Sequence, residues 1–266
     1  MKAVITAAIV VVGLAAGVYW YYGQRQLALV QPDPREVVED AWLEHLYSQN
    51  PKVAEEATRQ LQELGASALP EIRTALQDPA SDVALQKAAL KACGLLGPLA
   101  APAVPEVAAH LADPELTEEV AVALSFMGRE AFSPLRQGAT SDDPVVRRES
   151  LRSLGKLRER APLDAKAVVP LLLQGLADPD PGVRGVAATY LGIIHEDGPN
   201  VVPVLIETLK DEVAEVRAAA ATALGSFDAQ AKSAIPALRK ATSDPNEEVA
   251  REAGLSIVKL QSSSRK

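Results

Sequence analysis

The chain has 266 residues, a formal net charge of −8 and only 4% aromatics, while alanine, leucine and valine abound. That acidic balance gives no overall attraction to a phosphate backbone, so nucleic acid is not expected as a partner. Cys93 is the single cysteine, which excludes an intrachain disulfide and a thiolate metal cluster.

Residues 3–22, AVITAAIVVVGLAAGVYWYY, follow Lys2 and carry no charge. Twenty residues at about 1.5 Å each match the hydrocarbon core of a bilayer, and the cluster Tyr19, Trp20, Tyr21, Tyr22 resembles an interfacial aromatic belt. Residues 1–23 are therefore expected to be a transmembrane anchor, with an uncleaved or cleaved signal segment ending near Ala15, Ala16 and Gly17 as the alternative. Lys2 before the span, against Arg25 and Arg35 offset by Asp33 and Glu36 after it, leans towards an inside N-terminus. The rest of the chain is then expected on the periplasmic or extracytoplasmic side of a single-pass protein, or secreted if the segment is cut. Gly13 and Gly17 have the small-residue spacing that permits weak dimerisation of spanning helices. Residues 24–34 read as a linker, and residues 35–48 and 52–65 as a first, degenerate helical hairpin.

The repeat is clearest where residues 201–225, VVPVLIETLKDEVAEVRAAAATALG, lie over residues 168–192, VVPLLLQGLADPDPGVRGVAATYLG, with 13 of 25 positions identical. Each copy reads as two short amphipathic helices. The first is expected to open with a proline and the second to close with a glycine in a left-handed cap. First-helix prolines fall at Pro70, Pro105, Pro134, Pro170, Pro203 and Pro236. Turn aspartates at Asp78, Asp113, Asp142, Asp178, Asp211 and Asp244 follow each at an offset of eight. Second helices are expected to end at Gly65, Gly97, Gly128, Gly155, Gly192 and Gly225, and residues 261–266 to form a disordered tail. The proline spacings of 35, 29, 36, 33 and 33 make the third copy short and add residues to the fourth near 156–166. One hairpin cannot bury its own apolar face, so the copies must stack.

At these positions residues 35–260 resemble HEAT repeats, and more narrowly the bacterial HEAT-like type named after phycobilisome lyases, whose units read much like AVPxLxxxLxDxDxxVRxxAxxALG. The resemblance implies an all-α fold: a right-handed α-solenoid of about seven HEAT-like hairpins, preceded here by one transmembrane helix. It also implies a ladder of turn aspartates and second-helix arginines joining neighbouring copies. The matching positions are Asp178, Arg184, Asp211 and Arg217, with Arg147 less closely placed. Ala250, Ala84 and Glu119 stand where other copies would need arginine, which should confine the ladder to the C-terminal half.

Chemistry has little foothold in the sequence. His45, His110 and His195 are far apart and show no metal-ligand spacing. His195-Glu196 is similar to the His-Glu pairs of the HEAT-repeat enzyme deoxyhypusine hydroxylase, but this is one pair where that family needs several. No Gly-rich phosphate loop or nucleophile elbow is present. The expectation is a non-catalytic, cofactor-free, membrane-anchored scaffold binding a protein or peptide on its concave face. A bilin or chromophore lyase subunit, implied by the family name, or another accessory enzyme of HEAT-like type is the alternative. The surface singled out for binding is the basic run Arg147, Arg148, Arg152, Lys156, Arg158 and Arg160 in an otherwise acidic chain, suited to an acidic partner segment or anionic headgroups.

Overall fold

A computed structural model of the chain describes residues 41–160 and 165–262. The expected anchor, linker and Gly13/Gly17 contact lie outside the described residues. The chain divides into two units, Met1–Gln60 and Leu61–Lys266. Among the described residues the first unit holds α1 (Trp42–His45) and the start of α2 (Pro51–Leu64), in which Trp42, Leu46 and Ala57 are buried.

The described residues of the second unit form helices joined by short turns, with no strand among them. Six helix pairs follow one another: α3 (Leu69–Gln77) with α4 (Val83–Leu96), α5 (Val104–Ala109) with α6 (Thr117–Leu124), α7 (Phe132–Gly138) with α8 (Pro144–Arg160), α9 (Ala165–Gly175) with α10 (Pro181–Ile194), α11 (Gly198–Thr208) with α12 (Ala214–Leu224), and α13 (Ile235–Ala241) with α14 (Glu247–Ser262). The short third copy appears as the 8-residue α6, and the extra residues of the fourth as the 17-residue α8. Helix α14 runs through Ser262, so the first two residues of the expected tail are helical. Helical stretch Val83–Ala109 is long and apolar enough to cross a membrane by length and composition alone. It is broken at Gly97, whose φ is +58°, and its two helices belong to successive pairs of the array.

Each turn is built by its aspartate. Asp78, Asp113, Asp178, Asp211 and Asp244 accept the N–H of the residue two positions on at 2.8–3.0 Å, an Asx-turn that stops the first helix. In the fourth copy this role passes from the expected Asp142 to Ser141, whose hydroxyl accepts the N–H of Asp143 at 3.2 Å, and Asp143 in turn accepts from Val145 at 2.7 Å. Asp82 and Asp180 cap α4 and α10 by accepting from Leu85 and Val183.

The remaining punctuation divides into two kinds. Pro70, Pro105 and Pro236 sit in the first turns of α3, α5 and α13, whereas α9 and α11 begin earlier and carry Pro170 and Pro203 inside. Gly65, Gly97 and Gly128 have positive φ, as a left-handed turn requires. Gly155 and Gly192 instead lie inside their helices, and Gly225 ends α12 at φ −67°. Packing explains this second group: a Cβ on Gly192 would lie 2.6 Å from the Ala223 Cα, and one on Gly225 2.4 Å from the Ser256 Oγ. The left-handed cap of α10 falls to His195, at φ 39°.

The core of the second unit is a continuous apolar seam, from Ile72 through Leu90, Val107, Leu124, Leu135, Leu154, Leu172, Leu191, Leu205, Leu224 and Leu238 to Leu260, all buried. Second helices pack along second helices, α4 on α6 through to α12 on α14, and the glycine crossings bring their backbones close. First helices meet their neighbours less extensively, partly through 3-10 segments and long side chains such as Arg73 to Glu106. The more closely spaced row lies inside any curvature of the stack, so the solvent-facing stripes of the second helices form the inner face.

Candidate partner-binding face

Three arginines span the repeat boundaries with one geometry. Arg147 donates from Nε and Nη2 to Asp178 (2.7 and 2.7 Å), Arg184 to Asp211 (2.7 and 2.9 Å), and Arg217 to Asp244 (2.8 and 2.8 Å). In each, Nη1 turns back to two carbonyls of its own turn: Ser141 and Asp142, Asp178 and Pro179, Asp211 and Glu212. Each fork thus ties the turn of one copy to the turn of the next, in the bidentate arrangement favoured for guanidinium and carboxylate. Hydrogen bonding to these carboxylates holds the arginine pKa values above their ordinary range. Burial by itself pushes Asp178 and Asp211 up, but the arginine forks, the turn N–H groups and neighbouring arginine charges outweigh it and hold both below the usual carboxylate range. Asp244 is lowered chiefly by its bonds to Arg217.

The ladder takes in Arg147 and Asp244 besides the four residues that the sequence marks. Arg147 is therefore a seam residue, its side chain 14% exposed, and not part of an open surface. Among the described residues no arginine fork crosses a repeat boundary before α8; Arg73 with Glu106 and Lys87 with Glu119 join the earlier copies instead.

The other members of the basic run divide by position. Arg148, Arg152, Lys156 and Arg160 recur every four residues and so share one stripe of α8. The positions between them, Glu149, Ser150, Leu151, Ser153, Leu154, Gly155 and Leu157, are buried, so this stripe is the solvent-facing side of the helix. Glu149 is 2% exposed and neutralised from both sides, by Arg148 and Arg152 at 3.0 Å each. Arg158 points off the stripe and pairs with Glu196. Lys156 has no ion pair among the described residues. Arg160 lies over the Phe126 ring at 4.0 Å from its centroid.

Apolar side chains flank the basic stripe: Leu95, Val122 and Phe126 on one side and Ile193 on the other are exposed at the ends of their second helices. Further along, the groove over α10, α12 and α14 has a floor of Gly192, Ala219 and Ala223 and acidic walls of Glu215, Glu248 and Glu252. The inner face thus changes sign along its length, from cations on α8 to carboxylates on α12 and α14. Sequence reading missed this second zone because its glutamates are scattered over two copies and converge only when those copies stack.

Two of the histidines bond to backbone carbonyls. His110 Nε2 is 2.9 Å from the Leu76 carbonyl, and His195 Nδ1 is 2.9 Å from the Ile193 carbonyl. Among the described residues no three His, Cys, Asp or Glu side chains converge on a point where a metal could sit.

With this geometry in place, the fold defines a helical-repeat array. Residues 132–224 and 169–259 match the family model for HEAT repeats, so the C-terminal half of the chain is made of HEAT repeats. No curated protein sequence matches the chain. Among solved structures it is similar to Kap121p at 13% identity and a TM-score of 0.63, over 86% of this chain and 30% of that one. It is similar also to Kap121p bound to RanGTP, at 15% identity and a TM-score of 0.61, over 81% and 29%. An engineered protein aligns at 21% identity over 88% of this chain and 98% of its own, with a TM-score of 0.45. At these identities the likeness is one of fold.

Proposed function

We propose that this protein is a non-catalytic scaffold that binds a partner protein through the inner face of its HEAT repeats, held at a membrane by residues 3–22. The observation that carries the reading is the solvent-facing stripe of α8, where Arg148, Arg152, Lys156 and Arg160 stand in a row beside exposed Phe126 and Ile193. Exposed apolar groups rimmed by fixed charge mark interaction surfaces, and extended concave faces are what stacked helix pairs provide. The anchor rests on the charge-free sequence of residues 3–22, and the extracytoplasmic placement of the repeats on the flanking charges. The test is affinity capture by the full chain from detergent-solubilised membranes, comparing wild type with Arg148→Glu/Arg152→Glu/Lys156→Glu. Loss of a specific co-purifying protein in the variant is the expected result; identical recovery would remove the face from consideration.

A further inference from the structure

We propose that the groove where α4, α6 and α8 end seats an apolar side chain of an acidic peptide segment, whose carboxylates are taken by Arg160 and Arg129. The proposal rests on the scaffold reading above and names the chemistry of the partner at one point on it.

The groove encloses about 550 Å³, with Leu95, Phe126 and Leu157 as its apolar lining and Arg129, Glu130 and Arg160 at its rim. Leu95 is 45% and Phe126 37% exposed, which leaves apolar surface uncovered on both sides of the slot. Gly94 keeps the floor down to backbone: a Cβ there would meet the Ala123 Cα at 3.7 Å and the Phe126 ring at 4.0 Å. An incoming aromatic or branched side chain finds two apolar walls and a bare floor.

Charge selects what surrounds that side chain. The Arg160 guanidinium stacks on Phe126 at 4.0 Å, and its Nη1 lies 3.4 Å from the Ser125 Oγ. Ring stacking fixes the plane of the guanidinium and leaves most of its five N–H donors unused. Neither Arg160 nor Arg129 has a carboxylate partner among the described residues, whereas neighbouring Arg158 is occupied by Glu196. Among the described residues Glu130 is the one carboxylate lining the groove, against Arg129 and Arg160, an excess of one positive charge. Lys156 and Arg152 continue that excess back along α8. The acidity of the whole chain does not cancel it, because charges beyond about 8 Å are screened at physiological ionic strength. A pre-set arginine beside an aromatic pocket has the composition of an interface hot spot, with the apolar anchor supplying affinity and the carboxylates direction. Recessed Leu157 and the glycine floor suit an inserted side chain better than the flat surface of a bilayer.

The experiment is fluorescence anisotropy of the full chain in detergent with a labelled peptide of glutamate and serine bearing a central phenylalanine. That peptide should bind saturably. Replacing its phenylalanine by serine, or its glutamates by lysine, should weaken binding about tenfold or more. Phe126→Ala and Arg160→Glu should do the same, Arg160→Lys should lose less, and Glu207→Gln, on first helix α11 and off that face, should change nothing. Circular dichroism establishes that each variant folds. Equal binding of the phenylalanine-free peptide, indifference to Arg160→Glu, or binding only to anionic phosphatidylserine vesicles would overturn the proposal. Photo-cross-linking groups at Val122 and Ala219 separate it from the broader reading. Partner adducts at Val122 support the groove. Adducts at Ala219 alone overturn the groove and leave the scaffold standing, and adducts at neither position count against both.

Discussion

Arg184 and Asp211 face each other across the boundary between two repeats, joined by hydrogen bonds of 2.7 and 2.9 Å from Nε and Nη2 to the two carboxylate oxygens. The third guanidinium nitrogen holds the carbonyls of Asp178 and Pro179, so one side chain fastens the turns on both sides of the joint.

Removing that fork should be costly. Arg184 and Asp211 side chains are only 10% and 11% exposed, and Arg184→Ala would leave a carboxylate and two carbonyls without their donor. A loss of about 2–3 kcal/mol is expected, read as a lower urea midpoint. Arg184→Lys should recover little of it, since an ammonium cannot make the fork.

Acid should loosen the same joints. Asp178, Asp211 and Asp244 all have folded pKa values below those of the unfolded chain. Their contribution is therefore complete above about pH 5, where an unfolded aspartate is almost fully ionised, and is lost as pH falls through the lower folded values. Urea midpoints should be level from neutrality down to about pH 5 and drop below about pH 4. An Arg147→Ala/Arg184→Ala/Arg217→Ala variant should show a shallower drop, and an unchanged slope would mean that other carboxylates govern it.

Two glycines should respond to alanine with opposite sign. At Gly192 the added methyl would meet the Ala223 Cα at 2.6 Å, backbone that cannot swing aside, so Gly192→Ala should cost about 1–3 kcal/mol by forcing α10 and α12 apart. At Gly254, inside α14, nothing lies within 4 Å, and Gly254→Ala should stabilise by about 0.5–1 kcal/mol through helix propensity alone. Paired thermal melts measure both.

Cys93 should be inert in the folded protein. Burial, helped by the Glu106 charge, pushes its thiol up to about 12, which leaves almost no thiolate at neutral pH. A thiol-reactive chromogenic disulfide should label the chain only after denaturant is added; rapid labelling of the native protein would place Cys93 nearer solvent than the fold does.

The turn chemistry was open to reading from sequence because it is local. In five of the six copies the aspartate eight residues after the proline makes its Asx-turn with the N–H two residues on, whatever the neighbouring copy does. The ladder was partly legible for the same reason, since Val-Arg after the turn recurs at Arg184 and Arg217, whereas the turn of the fourth copy is one residue shorter and brings Arg147 five residues after Asp142 instead of six. The glycines misled because one residue type answers two needs. Gly97 and Gly128 permit a left-handed turn, which neighbouring sequence betrays. Gly155 and Gly192 are small so that Tyr190 and Ala223 can approach, a requirement set by a helix some thirty residues away. The basic run likewise looked uniform in sequence. Only the helix phase separates Arg148, Arg152, Lys156 and Arg160 on the open stripe from Arg147 in the seam and Arg158 beside Glu196.

Because the arginine forks begin at Arg147 and end at Asp244, the array is stapled by bidentate bonds along its later half and held by the more exposed ion pairs of Arg73 with Glu106 and Lys87 with Glu119 along its earlier one. Bending should concentrate on the N-terminal side of α8, where α4 and α6 can tilt like a hinged flap while α8 to α14 keep their spacing. The cationic row sits on the rigid side of that border and Leu95 and Phe126 on the compliant side, so an occupant touching both would be gripped by a jaw with one fixed and one movable half.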